Sequence, residues 1–164
     1  MMLLMVLGSM SAGLVLMIGT EGQISRHYLA HTRLRYAAEA GLELGMERLR
    51  RLDDWSQVLV SAPSVGGPVR TPKGAPTWRL LAQHRLGALA GRGHDLGETI
   101  DVWIADDDDR DGDPSRDTNG QLIVRAEARG VDAGRYAVRA HIGRAGELDG
   151  RGMPRVLAWH ADQE

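Results

Sequence analysis

The chain has 164 residues, of which 26% are charged and 43% are apolar, and its formal net charge is −2. This length allows one modest domain, or a smaller domain with one long accessory element. The near-neutral charge argues against nucleic acid as the main partner, because phosphate binding needs a concentrated basic surface. The absence of cysteine excludes disulfides, thiolate zinc sites and thiol catalysis.

Residues 1–20 contain no charged side chain, and the first charge is Glu21. Twenty helical residues rise by about 30 Å, the thickness of a bilayer hydrocarbon core, so this segment predicts a transmembrane helix. The alternatives are a buried soluble helix and a cleaved signal peptide, which normally has a basic start and a shorter apolar core. Basic residues usually flank the cytoplasmic end of a span, but here Arg26 follows it. We therefore expect a basic leader to precede Met1 in the precursor.

Residues 21–55 lack proline and repeat apolar side chains at helical spacing, which predicts an amphipathic continuation of the same helix. Asp53 and Asp54 follow the last apolar position and indicate its end. A helix of about 52 residues would be roughly 78 Å long. A small domain cannot bury such a rod, so we expect its N-terminal half to lie in a membrane or among other helices.

Two kinds of helix position are predicted to pack against partner helices. Large apolar residues supply the contact area, and small residues let another helix approach closely. The predicted set is Leu3, Leu4, Val6, Leu7, Leu14, Leu16, Ile18, Ile24, Tyr28, Ala38, Gly41, Leu42 and Gly45.

The C-terminal half indicates a small antiparallel sheet. Residues 56–98 are predicted as a loop and a short helix over 77–90. Four segments of alternating apolar and polar residues follow within 99–164, around 100–104, 122–129, 136–142 and 156–160. In the last of these, Val156 is expected on the face opposite to Trp159. A sheet with one solvated face needs a cover on the other, so the fold class is predicted as α+β, with the long helix as the cover.

The acidic loop at residues 106–120 reads DDDDRDGDPSRDTNG. Part of it reproduces the start of a calcium loop, D-x-D-x-D-G, in which alternating carboxylates face one cation. The twelfth position, where a bidentate glutamate is usual, holds Thr118. A solvated turn is the alternative. The candidate Ca²⁺ ligands are Asp107, Asp109, Asp111, Asp113 and Asp117.

Catalytic signatures are missing from the sequence. Six histidines are present, and His27 and His31 lie one helical turn apart, but no third metal ligand accompanies them. No phosphate-binding glycine motif or serine nucleophile motif is found. The sequence predicts neither an enzyme nor a small-molecule substrate.

The order of these segments resembles the type IV pilin superfamily. An uncharged N-terminal span continues into a helix that carries AAEAGLE at residues 37–43, and DDWSQVL at 53–59 precedes the β domain. Within the superfamily the chain looks like the PilX-type minor pilins, and the pseudopilins of type II secretion systems share the plan. Counted from Met1, Met5 stands where major pilins have glutamate. PilX-type pilins also tend to lack that glutamate, which suits a subunit at the end of a filament.

The resemblance implies a function in assembly. A minor pilin would wait in the inner membrane as a single-pass protein and then join a tip or priming complex that initiates pilus assembly, supporting attachment and twitching motility. Implied partners are other minor pilins, the major pilin, the inner-membrane assembly platform and a PilY-type tip adhesin. Related pilins and pseudopilins often carry calcium in the C-terminal domain. The alternatives are a minor pseudopilin of a type II secretion system and a single-span, membrane-anchored periplasmic calcium-binding domain.

Overall fold

The chain forms a long N-terminal helix and a five-stranded antiparallel sheet, which confirms the predicted α+β class. The computed structural model describes residues 2–62, 76–89, 97–107, 109, 111–131, 134–145 and 153–162. The elements in chain order are α1 (Met2–Arg50), α2 (Ser56–Ser61), β1 (Arg79–Arg85), α3 (Leu86–Leu89), β2 (Thr99–Asp106), β3 (Gln121–Arg129), β4 (Arg135–Ala145) and β5 (Met153–Asp162).

The sheet is a simple meander in which each strand pairs with the next, in the order β1-β2-β3-β4-β5. The predicted alternation of β2, β3 and β4 is confirmed on the face turned toward α1. The buried residues on this face are Ile100, Val102, Ile104, Leu122, Val124, Ala126, Ala128, Tyr136, Val138, Ala140 and Ile142. Together with α1 and α2 they form one continuous core.

The prediction of a short helix over residues 77–90 is wrong. This segment forms the edge strand β1, which pairs with β2, and only the four residues of α3 are helical. The register shifts between Leu80 and Ala82, so Leu81 is an extra residue that turns into the main core while Leu80 packs on the opposite face. Such a bulge interrupts the period of two, so the strand lacked its usual alternating pattern.

The opposite face of the sheet was predicted to be solvated, and over β1–β3 this is wrong. Trp78, Trp103 and Ala105 form a second buried cluster. The carboxylates of Asp101 and Glu127 are buried on the same face. Asp101 accepts a hydrogen bond from Gln83 Nε2 at 2.8 Å and pairs with the guanidinium of Arg129. Pairing with neighbours on adjacent strands is what makes burial of such charges tolerable.

The C-terminal part of α1 covers the core-facing side of the sheet. Its buried residues begin at Leu34 and continue through Ala38 and Leu42 to Leu49. A Cβ atom added to Gly41 would lie 2.5 Å from Ile100 Cγ2, and one added to Gly45 would lie 3.0 Å from Val102 Cγ1.

The prediction that Ala38, Gly41, Leu42 and Gly45 pack against a partner helix is therefore wrong. These residues are buried against the chain's own sheet. The reason is that a stripe of small residues allows any close neighbour, and here β2 and β3 occupy that position.

The N-terminal part of α1 extends away from the sheet. All residues from 19 to 31 are exposed, including Ile24, Tyr28 and Leu29. The part of α1 from Met2 to Thr32, 31 of its 49 residues, would span roughly 47 Å.

Within the part of the chain that the structure describes, no helix carries an apolar stretch long enough to cross a bilayer. Most side chains of the predicted span, residues 1–20, lie outside the described set. The same applies to several predicted partner contacts, namely Leu3, Leu4, Val6, Leu7, Leu14, Leu16 and Ile18.

Candidate functional site

The exposed apolar surface of α1 is the first candidate site. Met17, Ile24 and Tyr28 are 61%, 64% and 71% exposed. Ile24 and Tyr28 follow Met17 by seven and eleven positions, which places the three residues within one narrow stripe of an α-helix. We call these three residues the stem stripe. Exposed apolar patches often mark surfaces that bind a partner or a membrane.

A small cavity lies where α1 leaves the sheet. It measures ≈ 320 Å³ and is lined by residues of α1 together with Glu98 and the β3–β4 turn at Gly130 and Val131. Arg33 Nη2 donates to Glu98 Oε2 at 3.1 Å across this junction. The ion pair joins α1 to the residue before β2 at the point where the exposed part of the helix begins.

A wider groove runs between α1 and the edge strand β5. It measures ≈ 650 Å³, and Tyr36, Glu39 and Glu43 of α1 line one wall while Val156 and Trp159 line the other. The expected placement of Val156 and Trp159 on opposite faces is wrong. The register of β4 and β5 shifts next to His141, so Leu157 is an extra residue and both side chains reach the same groove.

The acidic loop connects β2 to β3 and is built from successive turns closed by aspartate side chains. The backbone N–H of Asp111 donates to Asp109 Oδ1 at 3.1 Å, and that of Asp113 donates to Asp111 Oδ1 at 2.8 Å. Gly112 has φ = +75°, a conformation that glycine adopts without strain and that the predicted calcium-loop turn requires.

The structure brings together two of the five predicted Ca²⁺ ligands. Asp107 and Asp109 come together, and Asp106 joins them, with one carboxylate oxygen from each within 4.8 Å of the others. We call Asp106, Asp107 and Asp109 the β2-exit cluster. Asp111, Asp113 and Asp117 do not belong to it.

The three excluded aspartates bind backbone groups of the loop. Asp113 Oδ1 accepts from Ser115 N at 3.0 Å, and Asp117 Oδ1 accepts from Gly120 N at 2.7 Å. Hydrogen bonds from Ser115 hold the pKa of Asp113 below its usual range. Partial burial raises the pKa of Asp117 despite its backbone partners.

Asp106 is the member that the sequence motif missed. It continues the buried positions Ile100, Val102 and Ile104 at the end of β2, so its side chain enters the edge of the core. Extending the alternation by one residue would have identified it. Burial, and then the negative charges of Asp109, Asp107, Asp117 and Asp111, raise the pKa of Asp106 to about 7.

The base of the loop is hydrogen-bonded to the start of α2. Ser56 Oγ, at the start of α2, accepts from Asp117 N at 3.2 Å and donates to Asp117 O at 3.5 Å. On the other side of the loop, Arg144 N donates to Gly120 O at 3.0 Å. The cluster is thereby held at a defined place relative to the helix.

His27 and His31, the two histidines of α1, are exposed on the helix. His31 lies edge-on to Tyr136, with the ring centroids 5.3 Å apart. Within the described ranges, neither His27 nor His31 belongs to a group of three metal-binding side chains. His31 instead marks the point where α1 first meets β4.

Comparisons with protein-family models, with characterised proteins and with solved structures find no match to this chain.

Proposed function

We propose that this protein is a minor pilin of a type IV pilus, which joins a tip or priming complex through α1. The observation that carries the proposal is that α1 continues far beyond the sheet that covers its C-terminal part, with its stem stripe exposed. Residues 1–20 anchor the subunit in the inner membrane before assembly. The mechanism is helix packing, and it requires no catalytic group.

The exposed part of α1 carries apolar side chains whose burial is favourable. Full burial of a side chain such as Ile or Met is worth about 1.5–3 kcal/mol, and the sheet leaves this stripe uncovered. Moving an apolar helix from lipid into a bundle of similar helices changes its surroundings little, because both are apolar. A subunit of this shape can therefore leave the membrane for a filament at small net cost.

Charged residues beyond the predicted span would select neighbours. Glu21 and Arg26 are exposed on α1, so opposite charges on a neighbouring helix can pair with them. Arg33 already pairs with Glu98, next to β2, where the exposed part of α1 (the stem) meets the sheet domain (the head). Complementary charge contributes register and partner choice more than affinity.

The proposed partners are those that the resemblance to minor pilins implies. Other minor pilins and the major pilin would pack along the stem, the inner-membrane assembly platform would receive the anchored subunit, and a PilY-type adhesin would lie above the head. After assembly the subunit would be located at the pilus tip or base, outside the cell.

The second candidate is a minor pseudopilin of a type II secretion system, which would use the same stem and head. It would differ from a minor pilin in serving protein export and in the phenotype of its deletion. The third candidate is a single-span membrane protein with a periplasmic calcium-binding head that does not polymerise. The β2-exit cluster is the observation that favours keeping this third candidate.

The test is complementation of a deletion strain with stem variants. Ile24→Asp and Tyr28→Asp place charge on the stem stripe, and Val60→Asp is the matched control because Val60 is exposed on α2 in the head. We expect Ile24→Asp and Tyr28→Asp to abolish surface pili and twitching, while Val60→Asp restores both. Loss of secreted enzymes with intact pili would instead identify a pseudopilin, and full function of every variant would contradict an assembly role.

A further inference from the structure

The cavity at the junction of stem and head has a positively charged lining. Among the described residues that line it, Arg26 and Arg33 are the cations and Glu98 is the only anion. Arg33 pairs with Glu98 at 3.1 Å, and the side chain of Glu98 is only 12% exposed, so these two charges cancel each other. The charge of Arg26 is left without an opposite charge in the cavity. A ligand with one negative charge would make the cavity neutral.

The side chain of Arg26 points toward the N-terminal end of α1. Its Nε donates to Gly22 O at 3.1 Å, which holds the guanidinium at the level of Gly22. Gly22 follows the uncharged residues 1–20 by two positions, a rise of about 3 Å along the helix. The headgroup layer of a bilayer extends about 5–7 Å beyond the hydrocarbon core. With residues 1–20 in that core, as proposed above, the guanidinium therefore lies among the lipid headgroups.

The cavity also has an apolar rim. Leu29 on α1 is 60% exposed, Val131 in the turn between β3 and β4 is 72% exposed, and both line the cavity. A cation beside two exposed apolar side chains matches a ligand that has a charged part and an apolar part. The volume of ≈ 320 Å³ is at the low end of the range of small-molecule sites, about 300–1,000 Å³. A lipid headgroup fits into such a space, whereas the acyl chains must lie outside it.

We propose that this cavity binds the headgroup of an anionic phospholipid, with Arg26 contacting the phosphate and with Leu29 and Val131 contacting the start of an acyl chain. The proposal rests on the anchoring of residues 1–20 in the membrane and extends it, because the head gains a contact with the same bilayer. Since Nε of Arg26 binds Gly22, the two terminal nitrogens can donate parallel hydrogen bonds to the phosphate oxygens. Phosphatidylglycerol carries the single net negative charge that balances the lining, and phosphatidylcholine carries none.

The proposed lipid contact is on the side of α1 opposite to the stem stripe. Arg26 lies two positions from both Ile24 and Tyr28, and each position turns an α-helix by about 100°. A lipid bound at Arg26 therefore leaves the stem stripe free for neighbouring helices. The lipid site and the assembly surface can accordingly be changed by separate substitutions.

The experiment uses the full chain in nanodiscs that contain equal amounts of phosphatidylglycerol and phosphatidylcholine. Native mass spectrometry of the released protein counts the lipids that stay bound and identifies them by mass. Arg26→Gln removes the proposed phosphate contact, and Arg50→Gln is its matched control because it removes the same charge at the other end of α1. Val131→Asp places a negative charge at the rim, and Val60→Asp places the same charge at a similarly exposed position on α2.

The native protein and both controls should retain one phosphatidylglycerol molecule in preference to phosphatidylcholine by ~5-fold, the effect of one basic residue beside an anionic lipid. Arg26→Gln and Val131→Asp should retain the two lipids about equally. Equal retention by the native protein, or an unchanged preference in Arg26→Gln, would overturn the proposal. Loss of the bound lipid in millimolar sodium phosphate would also overturn it, because the cavity would then be a site for free phosphate.

The same experiment separates failure of the lipid site from failure of the proposed function. A native chain that does not insert into the nanodiscs would contradict the anchoring of residues 1–20 and, with it, the lipid site. A chain that inserts but shows no preference for phosphatidylglycerol would overturn the lipid site alone and leave the assembly role standing.

Discussion

The guanidinium of Arg144 lies over the indole ring of Trp55, with Cζ 4.6 Å from the ring centroid. Arg144 also donates to the carbonyl oxygens of Asp53, at 2.6 Å, and Leu52, at 3.2 Å. Trp55 Nε1 in turn donates to Leu49 O at 3.0 Å, inside the last turn of α1. The end of α1 is thus held against β4 by the guanidinium of Arg144 and the indole ring of Trp55.

Arg144→Met should lower the stability of the head substantially. The change keeps the length of the side chain but removes a cation–π contact and two charged hydrogen bonds to carbonyls just after α1, so we expect a loss of roughly 2–4 kcal/mol. Arg155→Met is the control, because Arg155 is exposed on β5 and surface substitutions of this kind change stability by less than about 0.5 kcal/mol. Urea unfolding measures both, and equal stability of the two variants would contradict this role of Arg144.

Gly41→Ala should also destabilise the head. The new Cβ would lie 2.5 Å from Ile100 Cγ2 and 3.2 Å from Ala126 Cβ, so α1 and the sheet must move apart, at a cost of about 1–3 kcal/mol. Gly22→Ala is the matched control on the same helix, because a Cβ there meets nothing within 4 Å.

The control should not lower the Tm, since alanine favours a helix over glycine by about 1 kcal/mol. Thermal unfolding of both variants distinguishes two roles of Gly41. If Gly41 packed against a partner helix instead of its own sheet, Gly41→Ala would weaken assembly and leave the Tm unchanged.

Glu47 should stabilise α1 in a pH-dependent way. Hydrogen bonds from Arg51, supported by the charge of Arg50, hold the pKa of Glu47 below its usual range. A lowered carboxylate pKa stabilises the fold above the ordinary pKa, and this contribution is lost as the pH falls through the folded-state pKa. Glu47→Gln should therefore cause a small drop in Tm at pH 7 that becomes smaller as the pH falls through the lowered pKa of Glu47.

The matched variant is Glu43→Gln, one turn earlier on α1. Glu43 is exposed and forms no ion pair with any residue in the described ranges. It should show no drop in Tm at pH 7 or below. High salt should reduce the effect of Glu47→Gln, because the ion pairs are exposed to solvent and are screened. A drop that stays the same as the pH falls through the lowered pKa of Glu47 would contradict the ionic explanation.

The spacing of apolar residues along the chain was the most reliable predictor of the helices and strands. The helical spacing of apolar residues predicted α1 as one continuous helix, and the alternation around Ile100, Val124 and Val138 predicted the buried face of three strands. β1 was missed because Leu81 adds a residue at a bulge, and the bulge at Leu157 misplaced Trp159 for the same reason.

Side-chain size and charge were less informative than period. Gly41 and Gly45 indicated a close neighbour, but small residues do not specify whether it is a partner helix or the chain's own sheet. The motif of the acidic loop predicted five ligands, of which Asp107 and Asp109 come together while Asp111, Asp113 and Asp117 do not join them. Asp113 binds a turn instead, and the motif missed Asp106, whose position depends on where β2 ends.

The proposed role in assembly requires that the exposed part of α1 packs against the helices of other subunits. The chain has no cysteine, so a single cysteine at Ile24 can be crosslinked in membranes of the native host, with Val60→Cys on the head as the control. The account predicts adducts between Ile24→Cys and the N-terminal helices of other pilin-like chains, and none from Val60→Cys. Absence of such adducts at Ile24 in cells that assemble filaments would contradict it.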